Sequence, residues 1–395
     1  MENQRALIAM SGGVDSSVAA YLTLQKGLQC IGGTMRLFDK EQDCTFSSDA
    51  KDAKEVADRL GFPFYLFDFR EDFRQQVMDD FVRCYESGLT PNPCIVCNRR
   101  LKFDRLLRQA QELGCDYIVT GHYAQIRQDE RSGRFLLYKA VDTAKDQSYF
   151  LYSLTQEQLS HTLFPLGSLT KEQARAIALE QGLINARKRD SQDICFIPDG
   201  DYYSFLCSYA GKDYPQGDYL DQNGNVVGTH KGAAAYTIGQ RKGLGLAMGE
   251  PVYVTEKNMQ RNTVTVGPNE ALFHRSLLAD SCNWIAFSEL SEPIRIKAKA
   301  RSRMAEQPAT IYPMENGQIR VDFDEPQRAI TPGQAVVFYN GDAVIGGATI
   351  VKTIYKRNGR AVPFILCSEN IPLQSPPFQL GKTCRSGIPM RRHRL

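Results

Sequence analysis

The chain has 395 residues, 42% hydrophobic and 24% charged, with eleven cysteines and a formal net charge of +3. That length exceeds one ordinary core and asks for two or three domains, and the composition excludes a disordered, collagenous or membrane-spanning chain. The polar start MENQRA has no signal-peptide core, so the cysteines are expected to be reduced, the compartment cytoplasmic, and no membrane partner is foreseen. From Lys356 onward eight basic residues face Glu369 alone, a net +7 that leaves residues 1–355 at −4. A nucleic acid would therefore have to meet a local basic surface rather than the overall charge.

In chain order, Ala6–Met10 reads as a buried parallel strand, and Val18, Tyr21 and Leu22 give the apolar face of the helix after it. Between them lies Ser11-Gly12-Gly13-Val14-Asp15-Ser16-Ser17. Paired glycines bring backbone N–H groups close to a ligand and the helix adds its positive end, which makes an anion site, most simply for phosphate. A Walker A loop needs a lysine that is absent here, so simple γ-phosphoryl transfer is not favoured. SGGVDSS instead resembles the pyrophosphate-binding loop of the N-type ATP pyrophosphatases.

Cys30–Leu37 and Phe64–Phe69 read as further strands, and a helix starts at Ser47 or Ser48 with Asp49 and Asp52 in its first turn. Phe73, Val77 and Phe81 mark another helix, and Asp116–Thr120 a strand that runs into Gly121 and His122. Alternating strands and helices imply a parallel sheet with Ser11, Met35 and Gly121 on its carboxyl edge. In TPNPCIVCNRRLKF, Asn98 is read as the cap of a helix, with Cys97 just ahead of its N-terminus and Arg99, Arg100 and Lys102 nearby, a setting that favours a thiolate. Cys195 reads equally as a small buried residue or as a chemical thiol, and His122 as a structural group or a substrate contact. His161, His230 and His274 show no metal-ligand spacing. Phe135–Lys139 is a predicted strand, followed by the polar run Lys145–Ser148.

Near residue 205 the text becomes Gly-rich with short strands, Asn223-Gly224 reading as a hairpin turn and Arg241 and Lys242 suiting phosphate contacts. From Leu277 to Thr353 several short strands suggest a small β-barrel. Beyond Lys356, five prolines and the ending MRRHRL indicate a flexible basic arm. The expected division is 1–205, 206–276, 277–355 and a tail, 356–395.

AMSGGVDSS, Met35, TPNP with CN and KF, TGHYA, AKDQSYFLY, CFI, YTIGQRKGLG and AITPGQAVVFYNGD occur in order between residue 5 and about residue 351. In these motifs the chain resembles the bacterial tRNA-specific 2-thiouridylases. The resemblance implies an α/β fold: a parallel-sheet PP-loop ATPase domain of the adenine nucleotide α-hydrolase kind, a small central domain and a C-terminal β-barrel. It implies adenylation of the C2 oxygen of wobble uridine 34 and its replacement by sulfur, with AMP and pyrophosphate released. Ala9, Met10, Ser11, Gly12, Gly13, Val14, Asp15 and Ser16 would hold ATP, with Asp15 a magnesium contact and Met35 and Gly121 lining the nucleotide pocket. By the same resemblance Cys195 would accept a persulfide from a donor protein such as a cysteine desulfurase or relay protein. Cys97 would be the nucleophile, and the two would pass through a transient Cys97–Cys195 disulfide.

The tRNA contacts implied are Asn92, Pro93, Cys94, His122, Lys145, Asp146, Gln147, Arg301, Ser302 and Gln334. Cys94 stands where one well-known form of the family has an aspartate beside the target base, which puts an acid/base role there in doubt. The substitution also makes a set of three thiols, Cys94, Cys97 and Cys195, able in principle to ligate a [4Fe–4S] cluster; zinc would want a fourth ligand. The rival readings are another PP-loop synthetase, such as an argininosuccinate synthase, and a catalytically silent tRNA-binding protein.

Overall fold

The computed structural model describes residues 4–38, 47–188, 193–357 and 360–363. Strands β1 (Arg5–Ala9), β2 (Gln29–Arg36), β3 (Phe64–Asp68) and β4 (Tyr117–Val119) belong to the first sheet. After them come β5 (Ala124–Gln128), β6 (Phe135–Lys139) and β7 (Thr162–Leu163). The sheet has the order β3-β2-β1-β4-β7 and every pairing in it is parallel. A parallel strand is covered on both faces, which is why β1 can be a continuous apolar run with Ala6, Leu7 and Ile8 wholly buried.

Two cores result. Ala6, Ile8 and Val119 pack beneath α1 (Val14–Gln25), α2 (Ser48–Leu60) and the helix Lys171–Glu180, through Val18, Val56 and Ala174. On the other face Leu7, Ile31 and Ile118 meet Phe73, Leu101, Phe103 and Leu106. Local chemistry sets the ends of α2: the Ser47 hydroxyl accepts the Ala50 N–H, and Gly61 closes the helix in the left-handed region. Strand order reverses direction between β1 and β4, and ligands of open α/β sheets bind beyond such a point.

One predicted helix start moves. The helix begins at Pro93, with Asn92 as its cap accepting from the Ile95 N–H, and continues from Cys97 into a π-helical stretch, Asn98–Arg105, and then Leu106–Glu112. Cys97 therefore lies inside a helix rather than ahead of one. Proline suits the first helical position because its missing N–H has no intrahelical partner there, so Asn92-Pro93 outcompetes Asn98 as the start.

Strands β8 (Gly217–Leu220), β9 (Val226–His230), β10 (Tyr253–Asn258) and β11 (Thr263–Gly267) form a separate sheet, ordered β10-β11-β8-β9. The β8–β9 turn is closed by the Asp221 carboxylate, which accepts from the Asn223 and Asn225 N–H groups, with Gly224 at φ +86°. The last sheet holds β12 (Phe273–Trp284), β13 (Ile294–Lys299), β14 (Gln307–Pro313), β15 (Ile319–Arg328), β16 (Ala335–Asn340) and β17 (Ala343–Arg357). Its order is β12-β15-β14-β13-β16-β17, and pairing of β12 with β17 closes six strands into a barrel around Leu277, Ile296, Val321 and Phe338.

Two features depart from expectation. The β5–β6 hairpin of the first domain extends the barrel sheet, with Leu137 opposite Val344 and Tyr138 opposite Ala343. The segment read as a flexible arm from Lys356 begins as strand: β17 runs to Arg357, and β18 (Arg360–Pro363) turns back antiparallel on it. The rest of the expected tail, 364–395, lies outside the described residues.

Candidate active site

The loop between β1 and α1 meets the ends of β2 and β4 around a cavity of ≈ 620 Å³, which Ala9, Met10, Ser11, Gly13, Val14, Asp15, Ser16, Met35 and Gly121 all line. Gly12 sits one layer back. Its φ is +71°, and a Cβ there would lie 2.1 Å from the Asp49 carbonyl oxygen, so the loop bends under the first turn of α2 in a way only glycine permits. Gly121 is packed equally hard, a Cβ falling 2.7 Å from the backbone of Asp15 and Ser16. Serine hydroxyls tie the loop from inside: Ser16 and Ser17 donate to the Gly13 carbonyl at 3.1 and 3.0 Å, and the Ser11 N–H donates to Ser16 Oγ at 3.2 Å.

The loop is also gripped from behind by residues that sequence reading did not single out. Asn185 Nδ2 donates to the carbonyls of Gly12 and Gly13 and to Ser17 Oγ, at 3.2, 3.1 and 2.7 Å. Lys188 Nζ donates to the Gly12 carbonyl at 3.1 Å and pairs with Asp49 and Asp52 at 2.9 and 2.6 Å. Holding the carbonyls outward leaves the N–H groups and the start of α1 to an anion in the cavity. Asp15 is engaged as well: buried Lys171 binds both carboxylate oxygens at 2.7 and 2.8 Å, and the Tyr123 hydroxyl donates to one at 2.9 Å. A magnesium contact at Asp15 would have to displace that lysine. Among the described residues no three His, Cys, Asp or Glu side chains form a metal-holding group.

Cys94, Cys97 and Cys195 line the same cavity as the loop. Cys94 and Cys195 are exposed and Cys97 is buried. Burial pushes the Cys97 thiol up to about 12, against the pull of the Lys102 ammonium and with added repulsion from Cys195 and Cys94. The thiolate expected from a helix N-terminus is thus not favoured, because the residue lies within the helix and away from water. The three thiols share a wall but do not converge as cluster ligands.

His122 also lines this cavity, with Nδ1 2.6 Å from Thr120 Oγ1 and its ring packed against Phe103 and Phe164, which also touch each other. Burial first and Lys102 second hold its pKa well below the usual range, so the ring is neutral. Lys145 and Gln147 line the cavity, and the Gln147 side chain accepts the Tyr123 N–H at 2.9 Å. Asp146 serves its own turn, accepting from the Ala140 N–H and the Ser148 hydroxyl at 3.0 and 2.8 Å.

A second cavity of ≈ 690 Å³ is lined by helices and loops of all three domains and shares Pro93, Cys94, Asp193 and Ile194 with the first. Asn92, Arg301 and Gln334 line it. Arg301 donates to the Ile238 carbonyl at 2.9 Å and to the Thr331 hydroxyl, while Gln334 reaches the Thr90 carbonyl at 2.8 Å. These two side chains tie the barrel to the other domains, and Ser302 lies partly exposed beside Arg301 without lining either cavity.

A glycine phosphate loop at the switch point of a parallel sheet, faced by thiols, defines an enzyme of the PP-loop ATP-using class. The chain matches three family models: the tRNA methyl transferase HUP domain over residues 4–199, the tRNA methyl transferase PRC-barrel domain over 203–268, and the aminomethyltransferase beta-barrel domain over 274–350. It is 48% identical over 358 residues to the tRNA-specific 2-thiouridylase MnmA of Clostridioides difficile, covering 89% of this chain and 99% of that one. It is 50% identical over 357 residues to the protein of that name from Clostridium perfringens, again covering 89% and 99%. The solved NMN synthetase of Francisella tularensis overlaps 54% of this chain and 79% of its own at 17% identity, with a TM-score of 0.31. The chain belongs to the tRNA-specific 2-thiouridylase family.

Proposed function

We propose that this enzyme makes 2-thiouridine in tRNA at the expense of ATP, with the sulfur passing through Cys195 and Cys97. The observation that carries the reading is that both thiols line the cavity of the phosphate loop. A uracil carbonyl carbon is a poor electrophile, and its oxygen leaves badly. In the first step the O2 atom of the base attacks the α-phosphorus of ATP, the bond to the bridging oxygen breaks, pyrophosphate departs and the base gives up its N3 proton. The terminal sulfur of a persulfide on Cys195 then attacks C2, and the C2–O bond breaks with its electron pair leaving on AMP. Cys97 attacks the Cys195 sulfur, the persulfide S–S bond breaks, and the base keeps the outer sulfur and regains its proton. The Cys97–Cys195 disulfide so formed needs a dithiol reductant for the next turnover, and the persulfide must come from a sulfur-carrying protein.

Burial of Cys97 supports this order, since a protonated thiol stays inert to solvent oxidants until a persulfide reaches it. Methyl transfer, which two of the matched domain descriptions name, has no use for paired thiols beside a phosphate loop. The second cavity, reached past Cys94 and rimmed by Tyr202, Lys231 and Arg303, supports entry of an extruded base from an RNA loop. ATP phosphates would sit on the Ser11–Ser16 backbone, and magnesium would supply charge neutralisation on those phosphates. The test is mass spectrometry of tRNA nucleosides after reaction with ATP and a persulfide donor. Cys97→Ala and Cys195→Ala should each abolish 2-thiouridine while tRNA-dependent pyrophosphate release survives. A stoichiometric iron and sulfide content after anaerobic purification, lost in the same variants, would overturn the relay in favour of a cluster.

A further inference from the structure

Among the described residues, four Lys and Arg side chains line the loop cavity: Arg36, Lys102, Lys145 and Lys188. Lys188 is spent on Asp49, Asp52 and the Gly12 carbonyl. Arg36 and Lys145 have interactions of their own. Lys102, which is half-buried, has no hydrogen bond or ion pair among the described residues. Among the described residues, the groups that feel its charge are the thiols of Cys94 and Cys97 and the imidazole of His122, none of them an anion at neutral pH. A cavity-lining ammonium with no carboxylate partner among the described residues leaves its charge available to an anionic guest.

The backbone brings the ammonium there. At ~100° per residue an α-helix would set position 102 ~140° round the axis from position 97. Instead the π-helical stretch Asn98–Arg105, in which the Leu106 N–H reaches back to the Leu101 carbonyl, widens the turn and brings residues five apart to one side. The wide turn thus accounts for a cation beside Cys94, Cys97 and His122 in the cavity that the phosphate loop also lines.

Resting on the proposed reaction, we infer that Lys102 is a catalytic residue that binds the α-phosphate of the adenylated base and of the AMP that leaves, at the sulfur-transfer end of the cavity. The N–H groups of the loop keep pyrophosphate, so the two ends of ATP have separate partners. When the C2–O bond breaks, the electron pair ends on a phosphate oxygen, and the ammonium favours that build-up of charge.

The experiment is calorimetric titration of the full-length protein with AMP and, separately, with inorganic pyrophosphate, using Lys102→Met and Lys102→Arg. Loss of one charge-assisted contact should weaken AMP binding by about 10- to 100-fold in the Met variant, with pyrophosphate affinity held within about twofold and most of the AMP affinity kept in the Arg variant. Unchanged AMP affinity in a Met variant of native melting temperature overturns the inference. An equal loss for AMP and pyrophosphate overturns it too, since that marks a general field effect. Selective loss of AMP binding in a protein that forms no 2-thiouridine would instead retain the phosphate role and remove the proposed reaction.

Discussion

Cys97 is buried while Cys94 and Cys195 are exposed, and that difference sets the order in which they meet a reagent from solvent. Alkylation requires both access and thiolate, and burial withholds both from Cys97. Peptide mapping after limited iodoacetamide treatment should find Cys94 and Cys195 labelled at least ~10-fold faster than Cys97. Equal rates would mean that the Cys97 helix opens readily. Lys257 makes a second residue-scale case. It is buried against the first domain, with Nζ donating to the Tyr236 carbonyl at 2.8 Å and lying 5.9 Å from the Tyr85 ring, and desolvation lowers its pKa from 10.5 to about 8. Below pH 8 both folded and unfolded states carry the proton and the burial cost stands in full. Between pH 8 and 10.5 the unfolded state binds more protons at this group, so its contribution to stability rises with pH, by about 3 kcal/mol in total. Denaturant unfolding at pH 7.5 and pH 10 isolates this contribution as a difference: the wild type should gain stability relative to Lys257→Met as pH rises, against the opposite slope that buried thiols such as Cys97 give both proteins, and a slope shared by both would refute the assignment.

At the level of elements, the phosphate loop stands or falls with Gly12. An alanine there would face both a left-handed φ and the Asp49 carbonyl, so Gly12→Ala should cost about 2 kcal/mol or more and raise the KM for ATP. Thermal melting and ATP-dependent pyrophosphate release measure the two effects, and a variant normal in both would show that the loop can be rebuilt. The loop, the strand ends at Met35 and Gly121 and the cap of α2 were legible in the sequence because each is encoded within a few residues by periodicity, paired glycines or a capping serine. Asn98 was misread as a cap although Asn92-Pro93 carried the stronger signal, and the strand β5 was missed because AQIRQ is short and half polar. Asn185, Lys188 and Lys171 were out of reach for a different reason. Their partners lie 172, 176 and 156 positions away, so no local pattern points to them.

Across the whole molecule, the first domain and the barrel share a buried apolar core, in which Ile285, Val337, Tyr339 and Val344 join Leu137, Tyr149 and Leu151, and long polar contacts add to it. Lys139 on the β5–β6 hairpin pairs with Glu306 of the barrel at 2.7 Å, both side chains being under one-fifth exposed, and Gln334 of the barrel holds the Thr90 carbonyl beside the cavities. These place the barrel near Cys94; the basic C-terminus is a separate segment whose part in RNA affinity truncation can measure. Because β18 pairs with β17 through Pro363, cutting at Tyr355 would remove part of the barrel sheet and confuse stability with binding. Truncation after Pro363 spares that pairing and removes Lys382, Arg385, Arg391, Arg392 and Arg394 along with Glu369. Each cation that neutralises a phosphate releases a counterion, so the slope of log affinity against log salt should become shallower by up to about 4 on truncation, and the loss should be greatest at low salt. Filter binding of tRNA across a salt series measures both slopes. Coincident slopes for the two proteins would assign RNA binding to the folded body alone, whose net charge of −1 over residues 1–363 would leave the binding to local basic groups such as Lys231, Arg301 and Arg303 at the second cavity.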